Sequence, residues 1–209
     1  MYIIFRRSQK TEGLLLMKNI DNRVRYTKMV LQQAMLKILK KKHVDKVTVK
    51  ELCEEAGINR GTFYLHYDVP NDVLREIEQQ FIDEQMSFFS PYNNEGYEKG
   101  YLVEIFSGIL RNRELCAVIM GKNGNPRFLE RIQEMIRANV IQSLCSVYPG
   151  YKTDDLNFVF DFVFAGSMKL ILRWIEDDKG LTVDDLVSRL DRLGYHCNLA
   201  IKEFSKRET

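Results

Sequence analysis

Side chains suited to reading DNA bases cluster in one short segment of this 209-residue chain. The planar guanidinium of Arg60 matches the paired acceptors of guanine, and Asn59 and Thr62 can reach base edges or phosphates. Tyr64 and His66 follow closely and are suited to donate to phosphate oxygens, which set the register without carrying sequence. These five side chains together indicate a helix that recognises double-stranded DNA.

Two short helices joined by a tight turn would position these side chains. Thr48 and Glu51 have the spacing of a capping box, in which two side chains reciprocally satisfy backbone amides at a helix start. Gly57 stands where a helix commonly ends in a left-handed residue, and Asn59 can cap the next helix. That helix includes Gly61, whose missing side chain lets the backbone approach a partner closely. The order is that of a helix-turn-helix, whose second helix enters the major groove.

Further contacts are expected on either side of the second helix. Thr48 lies at a helix N-terminus, where amides and a hydroxyl favour a phosphate oxygen, and Lys50 adds positive charge. Tyr67 has two interpretations, as a contact or as a residue that packs against the following helix, and Phe63 is expected in the core. The predicted DNA-binding set is Thr48, Lys50, Asn59, Arg60, Gly61, Thr62, Tyr64, His66 and Tyr67.

The segment AGINRGTFYLHY, residues 56–67, resembles the recognition segment of TetR-family transcriptional regulators. Their pattern is Ala-Gly, an aliphatic residue, four variable residues, an aromatic residue or Leu, Tyr, any residue, His or Tyr, and an aromatic residue. Every fixed position is matched in register, and Thr48, Val49 and Leu52 match the residues that precede it. The likeness extends from about Arg23 to Leu74.

The resemblance implies an all-α fold with an N-terminal three-helix helix-turn-helix domain and a helical C-terminal ligand and dimerisation domain. It implies a cytoplasmic homodimer that represses transcription from a palindromic double-stranded DNA operator until a small-molecule effector relieves binding. No cofactor and no metal are expected. Family members often have a Lys at the start of the next helix that grips a phosphate, and Pro70 stands there in this chain. That contact is therefore expected to be missing.

Charge divides the chain into two parts. Residues 1–70 contain 14 Lys and Arg against 7 Asp and Glu, and residues 71–209 contain 17 against 22, so the net charge of +2 conceals a basic N-terminal part. Coincidence of the basic part with the helix-turn-helix is what phosphate neutralisation requires. We expect an extension or flexible arm at 1–22, with Met17 as an alternative start to Met1, a DNA-binding domain at 23–70, and a ligand-binding and dimerisation domain at 71–209.

A helix predicted near residues 154–177 is apolar on nearly every side and must be covered on all of them. One side can pack inward and the other against a second subunit, with Gly166 and Ser167 permitting close approach. The alternative is that its phenylalanines fill the core of a monomer. In the resembling family, the last two long helices of each subunit form a four-helix dimer interface, which favours a homodimer.

A small-molecule site is expected in the part from residue 91 onward. A lining rich in Phe and Met would suit an apolar or aromatic effector, although each of these residues could equally belong to a plain core. The candidate lining residues are Tyr101, Phe106, Met120, Phe128, Phe160, Phe164, Met168 and Trp174.

Other kinds of site and function find less support. The four cysteines are far apart and do not cluster with the histidines, so free buried thiols are expected rather than a metal site or a disulfide. No catalytic signature such as G-x-S-x-G or a P-loop is present, and no unbroken apolar run reaches the roughly 18 residues that span a membrane. The remaining alternatives are a helical interaction protein whose helix-turn-helix no longer binds DNA and, with less support, a helical enzyme.

Overall fold

A computed structural model of the chain describes residues 22–86, 99–147, 149–177 and 179–204. Throughout these ranges the chain forms helices and connecting turns without a β-strand, so the predicted all-α class is confirmed. The two candidate starts, Met1 and Met17, and the rest of the predicted arm up to residue 21 lie outside the described residues.

The described helices follow one another with short connections. Their bounds are α1 (22–39), α2 (Val49–Ala56), α3 (Arg60–Tyr64), α4 (Pro70–Met86), α5 (Lys99–Arg111), α6 (Arg113–Ile119), α7 (Pro126–Val147), α8 (Thr153–Glu176) and α9 (Val183–Phe204), with a 3₁₀ turn at Val44–Lys46. The chain divides into two compact units, of which the first ends at Ile77 and the second begins at Glu78, within α4. The three-part division expected from the sequence stays a prediction.

The core of the second unit joins its three longest helices. Leu144 of α7, Leu156 and Val159 of α8 and Ile201 of α9 form one buried cluster. These residues recur at helical spacing, so each helix turns one apolar stripe inward. The opposite side of α8 carries two large aromatic side chains, Phe158 and Phe162, which are 67% and 68% exposed in the single chain. Not all of its phenylalanines therefore fill a monomer core.

The cysteines divide by location. Cys53 and Cys116 are buried, as expected, and burial raises the pKa of both thiols, that of Cys116 to about 12. For Cys53 the nearby positive charge of Arg60 acts in the opposite direction without cancelling the effect of burial. Cys197 is half-buried, and the expectation of burial is wrong for Cys145, which is exposed because it lies on the outer side of α7.

The first unit is built around the apolar stripe of α1. Leu31, Met35 and Leu39 recur at intervals of four residues and are almost fully buried. Leu52 of α2 and Phe63 of α3 are also completely buried. Each short helix of the helix-turn-helix therefore contributes one large apolar side chain to the core of this unit.

Three side chains from α1, the end of the helix-turn-helix and α4 meet in a polar network. The Tyr67 hydroxyl and the Lys28 ammonium both donate to the Glu76 carboxylate, the latter at 2.8 Å. Lys28 also lies over the Tyr67 ring, with its nitrogen 5.6 Å from the ring centroid. The network fixes the segment that follows α3 between α1 and α4.

The charge on Glu76 is favoured in this environment. Burial alone acts to raise the pKa of its carboxyl, but the hydrogen bonds from Lys28 and Tyr67 and the charge of Lys28 outweigh it, so the pKa is lowered. The pKa of the Tyr67 phenol is raised by burial and by its bond to Glu76. Glu76 is therefore a carboxylate, and Tyr67 a neutral donor, at neutral pH.

Glu76→Gln is expected to lower the free energy of unfolding at pH 7 by about 1–2 kcal/mol, because it weakens two hydrogen bonds to a charged acceptor. The carboxyl has a lowered pKa in the folded state, so its contribution is present above its ordinary value of 4.5 and is lost as the pH falls through the folded pKa. Urea unfolding at several pH values should show the gap between wild type and variant closing below that value.

Glu54→Gln is the matched control for this experiment. Glu54 is exposed, and its carboxylate lies 3.9 Å from Lys50, so its loss should cost less than about 0.5 kcal/mol. A gap between wild type and Glu76→Gln that stays constant between neutral and acidic pH would contradict the assigned role of Glu76.

Candidate nucleic-acid interface

The helix-turn-helix starts at the N-cap of α2. Thr48 Oγ1 accepts from the Glu51 amide at 3.3 Å, which satisfies one orphan donor of the helix. The predicted reciprocal half of the capping box is wrong, because the Glu51 carboxylate accepts from Lys42 instead. Thr48 and Lys50 are both exposed at this end of α2. The structure thus brings a hydroxyl, helix-terminal amides and an ammonium to one surface.

The turn between α2 and α3 depends on Gly57. Its φ of 67° lies in the left-handed region, where a side chain is costly. Its amide donates to the carbonyls of Cys53 and Glu54, and the amide of Ile58 donates to Cys53 at 3.0 Å. The last carbonyls of α2 are thereby satisfied and the chain reverses sharply, as the sequence predicts.

Asn59 caps α3 as predicted. Its Oδ1 accepts from the Thr62 amide at 2.7 Å and from the Thr62 hydroxyl at 3.0 Å. The Asn59 oxygen is therefore engaged within the helix, and the amide nitrogen is the part of that side chain suited to an outside acceptor. The Thr62 side chain is half-buried and serves the cap as well.

The rest of α3 has one inward and one outward side. Phe63 is completely buried, and its ring lies edge-on to Tyr64, with centroids 5.3 Å apart. Arg60, Gly61 and Tyr64 are exposed, and His66 is half-buried just beyond the helix. A guanidinium, a phenol and an imidazole thus surround a helix end whose backbone is bare at Gly61.

Tyr67 does not belong with this exposed group. It is buried, its ring lies 5.9 Å from that of Phe63, and its hydroxyl donates to Glu76. The sequence interpretation as a packing residue is the one that this geometry supports, and its inclusion in the DNA-binding set is corrected. The reason is helical spacing, since Tyr67 lies four residues after the buried Phe63 and on the same side.

The start of α4 is occupied by its own side chain. Pro70 opens the helix, and Asp72 Oδ2 accepts from the amides of Asp68 and Val69 at 3.2 and 3.0 Å. A carboxylate thus takes the place that an anion would take at this helix N-terminus. The arrangement agrees with the expectation that the phosphate contact of the usual Lys is missing here.

One exposed residue was missed by the sequence reasoning. Leu65 follows α3 directly and is 79% exposed, more than any other large apolar side chain among the described residues. The signal was available in the spacing, because Leu65 lies two residues after Phe63 and therefore on nearly the opposite side of the helix.

The candidate effector residues do not gather at a single described cavity. Phe106, Met120, Phe128, Phe160 and Trp174 are buried, Phe164 and Met168 are half-buried, and the side chain of Tyr101 lies outside the described ones. An open groove of about 420 Å³ in the second unit is lined by other residues, which are Gln79, Ile82, Arg131, Glu134 and Met135. The eight candidates therefore stay predictions.

A buried amide in the second unit was also missed by the sequence reasoning. Gln85 of α4 is only 9% exposed, and neither its side-chain oxygen nor its nitrogen has a hydrogen-bond partner among the described residues. It packs on Gly108 of α5, where a Cβ would come within 2.9 Å of Gln85 Oε1. An unsatisfied buried amide costs about 1–3 kcal/mol, so its presence calls for an explanation.

Comparison with known proteins gives the fold and the C-terminal part a family. The model of a transcriptional regulator C-terminal region, TetR_C_8, matches residues 99–195. A TetR transcriptional regulator from Streptococcus agalactiae 2603V shares 22% identity and a TM-score of 0.61, with 85% of this chain and 98% of that chain covered. No curated protein matches the chain.

Two further solved structures share the fold. A TetR-family transcriptional regulator from Streptomyces coelicolor has 14% identity and a TM-score of 0.60, covering 87% of this chain and 84% of its own. The fatty acid degradation regulator FadR from Bacillus halodurans has 14% identity and a TM-score of 0.58, covering 80% and 94%. At these identities the likeness establishes the fold alone.

None of the described helices combines the length and the apolar sequence that a bilayer-spanning segment needs. The family match and the structural neighbours are all regulators of transcription, not enzymes. On the strength of the matched C-terminal region and the shared fold, the chain belongs to the TetR family of transcriptional regulators.

Proposed function

We propose that this regulator is a dimeric repressor that binds a palindromic DNA operator in the cytoplasm and releases it when a small-molecule effector binds. The observation that carries the DNA-binding part is the outward side of α3, where Arg60, Gly61 and Tyr64 are exposed opposite the buried Phe63. A guanidinium fork can read guanine, the glycine admits the backbone to the groove, and the phenol can donate to phosphate.

The supporting groups act on the DNA backbone. Thr48 and Lys50 present a hydroxyl, amides and an ammonium at the start of α2, and His66 lies beyond the end of α3. We assign phosphate contacts to these three residues and base contacts to Arg60 and the amide nitrogen of Asn59. A helical interaction protein with an inactive helix-turn-helix is the alternative, and DNA binding separates the two.

Arg60→Ala combined with Tyr64→Ala is expected to weaken binding to DNA from the protein's own promoter region by about 30- to 1,000-fold. One bidentate base contact is worth about 1–3 kcal/mol, and the phosphate contact adds to it. Titration across a salt series, against random DNA as competitor, measures both affinity and selectivity. The slope with salt should become shallower in the variant.

Arg111→Ala is the control for loss of charge, because Arg111 is comparably exposed but lies in the second unit. It should leave the affinity within about twofold of wild type. If the double variant binds the promoter DNA as tightly as wild type does, the site assignment is wrong. If wild type shows no preference over random DNA, the repressor proposal is wrong.

Dimerisation is supported by the exposed aromatic side of α8 and its neighbour α9. Phe158 lies edge-on to Phe204, with ring centroids 6.3 Å apart, and Phe162, Leu193 and Tyr195 are exposed as well. Large apolar patches on the surface of a chain mark interaction sites, and two helices per subunit provide a self-complementary face. A dimer would present its two recognition helices about 34–36 Å apart, one turn of DNA.

Phe162→Glu is expected to shift the protein from dimer to monomer, raising the dimer dissociation constant at least about 30-fold, because burial of a charge replaces burial of an aromatic ring at each subunit. Sedimentation equilibrium measures the change. Tyr26→Glu is the matched control, since Tyr26 is 62% exposed but lies on α1. A wild-type monomer, or a variant that stays dimeric, would contradict the assigned interface.

Effector binding is supported by the buried Gln85 amide beside Gly108. Both polar atoms are shielded from solvent and have no partner among the described residues, so a ligand with a complementary donor and acceptor would remove the cost of their burial. We therefore assign the effector an apolar or aromatic body with one amide-like or carboxylic group. The candidate lining residues Tyr101, Phe106, Met120, Phe128, Phe160, Phe164, Met168 and Trp174 would cover its apolar part.

Fluorescence of Trp174, the single tryptophan of the chain, provides the readout for effector binding. A panel of small aromatic and aliphatic amides and acids should contain a compound that changes this fluorescence and lowers DNA affinity. Gln85→Leu should weaken that compound at least about tenfold, leave DNA affinity unchanged and raise the free energy of unfolding by about 1 kcal/mol.

Reciprocity makes the effector test decisive. If the compound lowers DNA affinity by some factor, DNA must lower the affinity of the compound by the same factor. A compound that binds equally well with and without operator DNA, or that binds Gln85→Leu as tightly as wild type, would contradict the assigned effector role.

A further inference from the structure

Leu65 is the most exposed large apolar residue of the first unit, and it lies immediately after the recognition helix. Its side chain is 79% exposed, and its backbone, with φ of −73° and ψ of −15°, continues the helical conformation of α3. Its position around the helix axis is therefore defined by helical geometry. Leucine in such a place has no partner of its own type, since Phe63 points the other way into the core.

Helical geometry places Leu65 at the centre of the outward side. Each residue advances by about 100° around the axis, so Gly61 and Leu65, two residues before and after Phe63, both lie about 160° away from it. They bracket the direction opposite the core. Arg60 and Tyr64 lie to one side of this direction, and the half-buried Thr62 lies to the other.

The groove that α3 is proposed to enter offers one apolar group to such a side chain. Base edges in the major groove display donors and acceptors, and only thymine adds a methyl group. A bare backbone at Gly61 permits close approach, and Leu65 lies one turn further along the same side. Resting on the proposed DNA binding, we infer that Leu65 reads thymine through its 5-methyl group and is a specificity determinant of the operator.

The charge around Leu65 favours DNA over a second protein as the occupant. Residues 1–70 carry a net charge of +7, and Arg60 and Tyr64 flank Leu65 on the same exposed side. The surface is continuous with the groups assigned to phosphate and guanine. An isolated leucine surrounded by cationic and phenolic donors suits a groove lined by phosphates and one methyl group.

The test compares thymine with uracil, which differ only in this methyl group. Duplexes selected from random-sequence DNA by the full chain supply the probe, and each thymine is replaced by uracil in symmetric pairs, one in each half-site. At one pair, wild type should lose about fourfold in affinity for each methyl removed, the value for burying one such group. Leu65→Ala should bind the thymine duplex at least as weakly and should bind both duplexes equally.

Val69→Ala is the matched control, because Val69 is an exposed apolar residue beyond α3 and should keep the thymine preference. Circular dichroism and the oligomeric mass confirm that each variant is folded. A Leu65→Ala protein that keeps the preference at every thymine, or a wild type that is indifferent to uracil everywhere, overturns the inference while leaving DNA binding intact. Failure to select any duplex overturns the proposed function and this inference together.

Discussion

The burial of Phe63 is the contact on which the candidate interface depends. Its helix, α3, has only five residues, too few to be stable in water on its own, because a helix of this length hardly repays its nucleation. The helix is held at one end by the Asn59 cap and in the middle by the completely buried Phe63 ring. Because Phe63 fixes the rotation of α3, it also fixes which residues face outward.

The segment after α3 is held by a polar network rather than by apolar burial alone. Tyr67 follows Phe63 on the same side of the helix and donates to Glu76 of α4, which also accepts from Lys28 of α1. A carboxylate with two donors keeps its charge despite partial burial. The recognition helix is therefore anchored on both sides of its reading surface, which favours a rigid rather than an adaptable reader of DNA.

Much of this arrangement could be predicted because it depends on local rules. Period-four apolar stripes, the left-handed Gly57 and the Asn59 cap each follow from neighbours in sequence, and the last helix has the predicted bounds, Val183–Phe204. What could not be predicted depends on contacts between distant residues. The Glu51 carboxylate binds Lys42 of the preceding segment, and burial of Gln85 follows from the bare backbone at Gly108, 23 positions later. Neither pairing has a local signal.

The two residues missed from the sequence, Leu65 and Gln85, break opposite rules, and that is why both bear on function. Leu65 leaves a large apolar side chain in solvent, and Gln85 leaves a polar one without a partner in the interior. A chain selected for stability alone would exchange these environments, with a polar residue at 65 and an apolar one at 85. Local inconsistency of this kind concentrates at functional sites, where a partner completes the missing contact. For Leu65 that partner is a DNA methyl group, and for Gln85 it is the polar group of the effector.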